Sequence, residues 1–411
     1  MSSTSTTRAC RNFFTARPKT GSGGALSFSR EEVAFLAANA PRIEAIAPEI
    51  ALTKQSVFAD RAVLDREFGD FARAVSVLIY AQRAAVGKLP AHWLTDYDAA
   101  QQATPRAVAD VRAGHVREAG ATLVHDVTCS VGSEAPAFAD AGIAWLGSDL
   151  DRTRIAMARH NLGDSAWLAG ADAPAPASRA DVVIADPARR ADGKRITDPA
   201  KLLPPLPDLL DAHAGRELAV KCAPGIDYSE WDGLVSVVSV DGGVKEACLY
   251  TRGFGRGREA VVLREGFEER CLSTAPSTAP VKPPGAFIIE PDRAVIRAGL
   301  VSHWATRHGL WMLDEHIAFL SGDTIPAGYS GFPFIEAVPL KKLRAALVAR
   351  GASSVEILVR GVDVDPDQLR AKLKLKGTKA GRSAKGGAKL SGGAAPKAAV
   401  SYSQMMFPTN R

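Results

Sequence analysis

His125-Asp-Val-Thr-Cys-Ser-Val-Gly-Ser-Glu134, read HDVTCSVGSE, decides how this 411-residue chain folds. The apolar run Leu123 to Val127 predicts a strand, and the small residues after it, leading into a helix start, predict a loop. Such a loop sets backbone N–H groups and a helix N-terminus beside a bound ligand, with small side chains permitting close approach. That geometry suits a nucleotide-like cofactor. By itself the motif is generic, because only Gly132 is glycine where dinucleotide folds carry three.

The segments that follow give it meaning. Gly147-Ser-Asp-Leu-Asp151 ends a second predicted strand and begins a helix, which puts Asp149 where a carboxylate accepts both hydroxyls of a ribose. Ala171-Asp172 follows a third strand, and Ile184-Ala-Asp-Pro-Ala-Arg-Arg190 a fourth. Asp126, Asp149, Asp172 and Asp186 thus stand at the carboxyl ends of successive strands, where open α/β sheets bind ligands.

Around this center, residues 26–115 are rich in Ala, Arg and Glu with helical periodicity. Start signals are Ser29-Arg-Glu-Glu32 and Thr95-Asp96, and breaks fall at Pro41, Pro48 and Pro90. Residues 116–268 alternate short apolar runs with helical segments, the signature of a mostly parallel sheet covered by helices. Residues 269–285 are rich in Ser, Thr and Pro and read as a linker. Residues 286–377 read as a small α+β domain with strands at Phe287 to Glu290, Ile317 to Leu320 and Val355 to Val359. Its helices are expected at Arg293 to Thr306, Leu340 to Arg350 and Pro366 to Leu375, with Leu340, Leu343 and Leu347 on one face, Gly351 as a stop and Asp365 as an N-cap. Residues 1–25 and 378–411 carry no apolar period and are expected to be disordered basic ends.

Composition excludes other classes. With 46% hydrophobic and 23% charged residues the chain is globular, and no apolar run approaches the roughly 20 residues that cross a bilayer. The formal charge of +6 is unevenly spread: residues 1–30 carry +5, residues 370–411 carry +10, and the body between them is −9. The five cysteines form no CxxC pair, which argues against a disulfide framework and a zinc site and for the reducing cytoplasm. His303, His308 and His316 lack the spacing of a metal site, so no metal is expected. Cys222 with Lys221 beside it offers a candidate nucleophile, for which the alternative is a small buried hydrophobe. The Arg-Gly run from Thr251 reads as a glycine-rich hairpin loop.

HDVTCSVGSE, GSDLD and ADPARR resemble the first, second and fourth motifs of the class I S-adenosylmethionine-dependent methyltransferases. EPDRAVIRAGL from Glu290, LDEHIAFL from Leu313 and VEILVRGVDVDP from Val355 resemble the members with a C-terminal THUMP-like domain, as does QQATP from Gln101. The likeness spans roughly residues 90–377. It implies a Rossmann-like α/β sheet with an N-terminal helical region and a C-terminal α+β domain, and S-adenosyl-L-methionine as cofactor. By the likeness, Asp126, Thr128, Ser130 and Gly132 meet the methionine part of the cofactor, Asp149 the ribose and Asp172 the adenine amino group. Asp186, Pro187 and Arg189 form the catalytic segment, and RNA is the expected partner, held by the C-terminal domain and the basic tail. Two departures motivate an alternative, a non-catalytic RNA-binding or assembly protein: Ser130 and Ser133 replace glycine, and Asp-Pro-Ala-Arg lacks the aromatic that stacks on a base.

Overall fold

The computed structural model describes residues 27–164, 166–188, 190–191, 194–360, 364–375 and 397–403. It divides into two compact units, residues 1–265 and 266–411.

Helix starts in the first unit follow local chemistry. Ser29 and Glu32 form a reciprocal capping box on helix Arg30–Ala38, the hydroxyl accepting the Glu32 amide at 3.1 Å and the carboxylate the Ser29 amide at 2.7 Å. Asp96 caps helix Tyr97–Gln102 through the Ala99 amide. Helix Ala72–Ala84 is the center of the N-terminal helical core, where Val75, Val77, Leu78 and Ile79 are buried. That core continues into Val131 and Met157, so the helical region packs on the loop after the first strand.

The sheet strands are β1 (Leu123–Asp126), β2 (Ala144–Asp149), β3 (Trp167–Gly170), β4 (Val182–Ala185), β7 (Glu217–Cys222), β8 (Leu234–Val240), β9 (Gly243–Tyr250) and β10 (Gly257–Arg264); residues 190–191 and 194–195 pair separately as a small ribbon, β5 and β6. The sheet order is β10-β8-β9-β7-β4-β1-β2-β3. All neighbors are parallel except β9, which is antiparallel to both β7 and β8. The sheet is therefore Rossmann-like, with an antiparallel strand that an all-parallel dinucleotide fold lacks. The Arg-Gly run is not the hairpin expected from the sequence. β10 lies on the far side of β8 from β9, Arg252 and Arg256 pair with Asp232, and Glu217 fills the space beside Gly253.

Strand order fixes where the ligand end lies. From β1 the chain runs outward through β2 and β3, then returns to the other side of β1 as β4, which opens a crevice at the carboxyl ends of β1 and β4. Helices Arg106–Glu118 and Ala135–Asp140 cover one face with Ala109, Ala113, Val116, Ala137 and Phe138 against Val124, Val182 and Ile184.

In the second unit, β12 (Phe287–Ile289), β13 (Trp311–Asp314), β14 (Ile317–Gly322) and β15 (Gly331–Pro333) form a sheet in the order β13-β14-β12-β15. The single helix expected over Arg293 to Thr306 is two, Arg293–Arg297 and Val301–Arg307, because Gly299 takes φ +68° between them. Helix Leu340–Ala349 buries Leu343 and Leu347, whereas Leu340 is more than a third exposed. Asp365 caps helix Pro366–Leu373 as expected. β16 (Ser354–Arg360) pairs in parallel with β17 (Lys397–Ser403), inside the stretch expected to be disordered. Lys397-Ala-Ala-Val-Ser-Tyr-Ser403 holds Val400 and Tyr402, a modest β-preference that the edge of β16 turns into pairing.

β11 (Phe267–Leu272) brings Glu269 into an aromatic cluster, where it accepts from His308 Nε2 at 2.8 Å, Trp304 Nε1 at 3.3 Å and the Tyr329 hydroxyl. Burial pushes its carboxyl up, but the bonds from His308 and Tyr329 outweigh this and bring it down to about 2. A depressed folded-state pKa stabilizes fully above the unfolded value, and the gain is lost as pH falls toward the folded one. Glu269→Gln is therefore expected to destabilize the chain by about 1–3 kcal/mol at neutral pH in urea titrations, with the gap to wild type closing between about pH 4.5 and 2. A gap independent of pH would show that the carboxylate charge is not what the cluster uses.

Candidate functional site

The crevice loop is built by backbone pairing carried past the strand ends. The Val127 amide donates to Ile184 O and the Cys129 amide to Ser148 O, both at 2.9 Å. The loop lies so close to β2 that a Cβ on Gly147 would stand 2.9 Å from Cys129 Cβ and 2.3 Å from the Trp145 ring. Asn161 ties the loop to the helical region, donating to Val131 O at 3.1 Å and exchanging bonds with the Leu94 backbone.

Ser130 takes φ +50° and Gly132 φ +87°, so a serine occupies one of two left-handed positions. Its amide donates to Asp149 Oδ2 at 2.9 Å, and the Asp151 amide to Asp149 Oδ1 at 2.9 Å. The first two motifs are thus joined by one carboxylate. Burial holds the Asp149 pKa above the ordinary carboxylate value, and the two amides offset only part of that rise. Each carboxylate oxygen has two lone pairs and spends one on an amide, so two further hydrogen-bond donors fit the group.

Asp126 ends β1 buried, accepting from the Thr128 amide at 3.1 Å and its hydroxyl at 3.4 Å. The same hydroxyl accepts the Asp186 amide at 2.7 Å, so Thr128 couples the strand ends of β1 and β4. Burial drives the Asp126 pKa up to about 7; Glu134 and Asp186 add to the rise, while Lys221 opposes it.

Beneath these groups lies a charged network that sequence reading missed. Arg112, fully buried in helix Arg106–Glu118, meets Glu134 at 3.0 Å and Glu246 of β9 at 2.8 Å. Lys221 of β7 meets Glu134 and Asp186 at 3.0 Å each, and Thr104 Oγ1 at 2.7 Å. Burial alone would disfavor the ammonium, but Asp186 and Glu134 hold the Lys221 pKa above the ordinary lysine range. Burial likewise pushes Glu134 up, yet Arg112 and Lys221 keep it far below the carboxylate range. The thiol beside Lys221 is not its partner: adjacent strand residues face opposite ways, and Cys222 Sγ donates to Val220 O at 3.6 Å.

Of the remaining sequence candidates, Pro187 is buried directly after Asp186, and Asp172 is exposed two residues past β3. Arg189 lies outside the described residues. His308 is engaged with Glu269, and among the described residues no three His, Cys, Asp or Glu groups assemble to hold a metal. Among them, too, no helix is long and apolar enough to cross a membrane.

Two relatives from Mycobacterium tuberculosis strains CDC 1551 / Oshkosh and ATCC 25618 / H37Rv, each an uncharacterized S-adenosylmethionine-dependent methyltransferase, are 43% identical over 333 residues, 76% of this chain and 92% of theirs. The chain belongs to the S-adenosylmethionine-dependent methyltransferase family. Residues 330–385 match the THUMP domain-like family. The fold is shared with a "putative methyltransferase" from Porphyromonas gingivalis W83 at TM-score 0.64 and 18% identity, covering 85% of this chain and 94% of that one. In this methyltransferase the loop positions differ in their tolerance. Gly132→Ala is expected to destabilize by about 1–3 kcal/mol, since its Cβ would stand 2.7 Å from Leu162 Cδ1. Ser130→Gly is expected to be neutral or stabilizing by up to about 1 kcal/mol, by relief of the left-handed serine. Thermal unfolding of both variants checks the pair, and a Ser130→Gly loss as large as that of Gly132→Ala would contradict it.

Proposed function

We propose that this chain transfers a methyl group from S-adenosyl-L-methionine to RNA, with the cofactor in the crevice at the ends of β1, β2 and β4. The observation that carries this reading is the Asp149 carboxylate bonded to Ser130, because a two-oxygen acceptor then lies against the small-residue loop at the switch point of the sheet. Asp149 is assigned to the ribose hydroxyls and Asp172 to the adenine amino group. Asp126, Thr128, Ser130 and Gly132 are assigned to the methionine end. Leu150, 73% exposed beside Asp149, offers an apolar surface to a purine ring.

When bound, the cofactor supplies a methyl group on a positively charged sulfonium. The protein's share of such a transfer is orientation and electrostatics. Asp186, fixed by Thr128 at its amide and by Lys221 at its carboxylate, is assigned to accept a hydrogen bond from the acceptor amine or hydroxyl, with Pro187 stiffening the turn and Arg189 assigned to phosphate. The serine at position 130 favors catalysis over a degenerate binding protein, since it adopts the left-handed backbone that glycine would provide.

RNA is favored as acceptor by the THUMP domain-like match and by Lys341, Lys342, Arg344, Arg370, Lys372 and Lys374 on and beside helices Leu340–Ala349 and Pro366–Leu373. A reducing cytoplasm suits the buried thiols of Cys129, Cys222, Cys248 and Cys271.

Calorimetric titration with S-adenosylhomocysteine tests the cofactor assignment: wild type binds, and Asp149→Ala weakens binding tenfold or more, about 1.4 kcal/mol. Asp186→Asn is expected to keep that affinity while losing at least about a hundredfold in transfer of labeled methyl to total RNA from a deletion strain. Methyl incorporation into protein but not RNA in the same lysate would overturn the RNA assignment.

A further inference from the structure

We propose that Lys221 is the positioning residue of the methyl-transfer site, its ammonium anchored on Glu134 and Thr104 so that it fixes the Asp186 carboxylate in place and in its charged form. The inference rests on Asp186 being the carboxylate that meets the acceptor. It extends that reading to a lysine, and to the helical N-terminal region that holds the lysine.

An ammonium has three N–H donors, and here three acceptors from three separate stretches of chain meet them. Thr104 comes from the turn before helix Arg106–Glu118, Glu134 from the start of helix Ala135–Asp140, and Asp186 from the end of β4. The Lys221 side chain is 6% exposed and that of Glu134 2%, whereas Asp186 is 22% exposed and is the member a substrate reaches. The parallel register Ala185↔Val220 sets Lys221 beside Asp186, so the contact follows from sheet pairing and not from a chance rotamer.

The charge environment makes the lysine necessary. Asp186 and Lys221 share their surroundings with Asp126 from β1, Glu134 before helix Ala135–Asp140, Arg112 from helix Arg106–Glu118 and Glu246 from β9. Arg112 is committed to Glu134 and Glu246, and Lys221 is a cation in direct contact with Asp186. Removing the Lys221 charge would leave the charges of Glu134 and Asp126 less opposed around Asp186, and like charges favor proton uptake. A protonated Asp186 donates where it is needed to accept, so proton uptake would cost the orientation of an N–H or O–H acceptor.

The test uses the full chain labeled with 13Cγ-aspartate, the Asp186 signal being assigned from its absence in Asp186→Asn. Lys221→Met is expected to raise the Asp186 titration midpoint by about one pH unit or more, while Lys221→Arg holds it within about half a unit. S-adenosylhomocysteine affinity in both variants stays within about twofold of wild type, which shows the site is folded. An unchanged midpoint in folded Lys221→Met overturns the proposal. Should Lys221→Met not fold, Thr104→Val removes one anchor without altering charge. It is expected to slow methyl transfer to deletion-strain RNA at least fivefold at unchanged S-adenosylhomocysteine affinity, about 1 kcal/mol, and an unchanged rate overturns the anchoring. If Asp186→Asn retains full transfer, the acceptor-side reading of Asp186 falls on its own, while the Lys221→Met midpoint separately decides the coupling.

Discussion

A lysine ammonium and an arginine guanidinium buried under the crevice impose a demand that much of the first unit is arranged to meet. Ions taken out of water cost several kcal/mol each unless paired with good geometry. Here Arg112 and Lys221 find Glu134, Glu246, Asp186 and Thr104 within 2.7–3.0 Å. Those partners come from the residue before helix Ala135–Asp140, strand β9, the end of β4 and the turn before helix Arg106–Glu118. Glu134 meets both cations, so the network binds these elements in one register. Replacing such a network by apolar residues is often no less stable, so its use here is best sought in orientation.

The same crevice explains why the helical region is not an appendage. Asn161 joins Leu94 to Val131, and Thr104 joins the end of the helical region to Lys221. The hydrophobic core that begins with Phe28 and Val33 closes on Val131 and Met157. The loop after β1 is therefore held from outside by helices and from beneath by ion pairs. A loop with a serine in the left-handed region needs such support, because that conformation costs a non-glycine residue on the order of 1 kcal/mol.

The second unit has its own organization. Glu269 gathers His308, Trp304 and Tyr329 around one carboxylate, while Leu343, Leu347, Val355, Ile357 and Leu369 make a separate core that includes one face of β16. Of the two basic ends that flank the acidic body, residues 370–411 with a net charge of +10 belong to this unit. Attraction to phosphate and methyl transfer are thus assigned to different parts of the chain, and the ion pairs at the crevice are internal ones.

By itself the sequence determined the helix starts at Ser29, Asp96 and Asp365, the alternation that makes a parallel sheet, and the four strand-end acids, since capping and strand periodicity are local properties written in neighboring residues. It also carried the likeness to methyltransferases in HDVTCSVGSE, GSDLD and ADPARR. What only the tertiary structure decided was which distant residues meet. Lys221 was legible merely as the neighbor of Cys222, Glu134 as a helix start and Arg112 as one arginine of an amphipathic helix. Their union depends on the pairing of β4 with β7 and of β7 with the antiparallel β9, and on a helix laid across them. Strand order is set by long-range pairing, which leaves no periodic signal in the chain; the charges it buries become partners only once the sheet has brought them together.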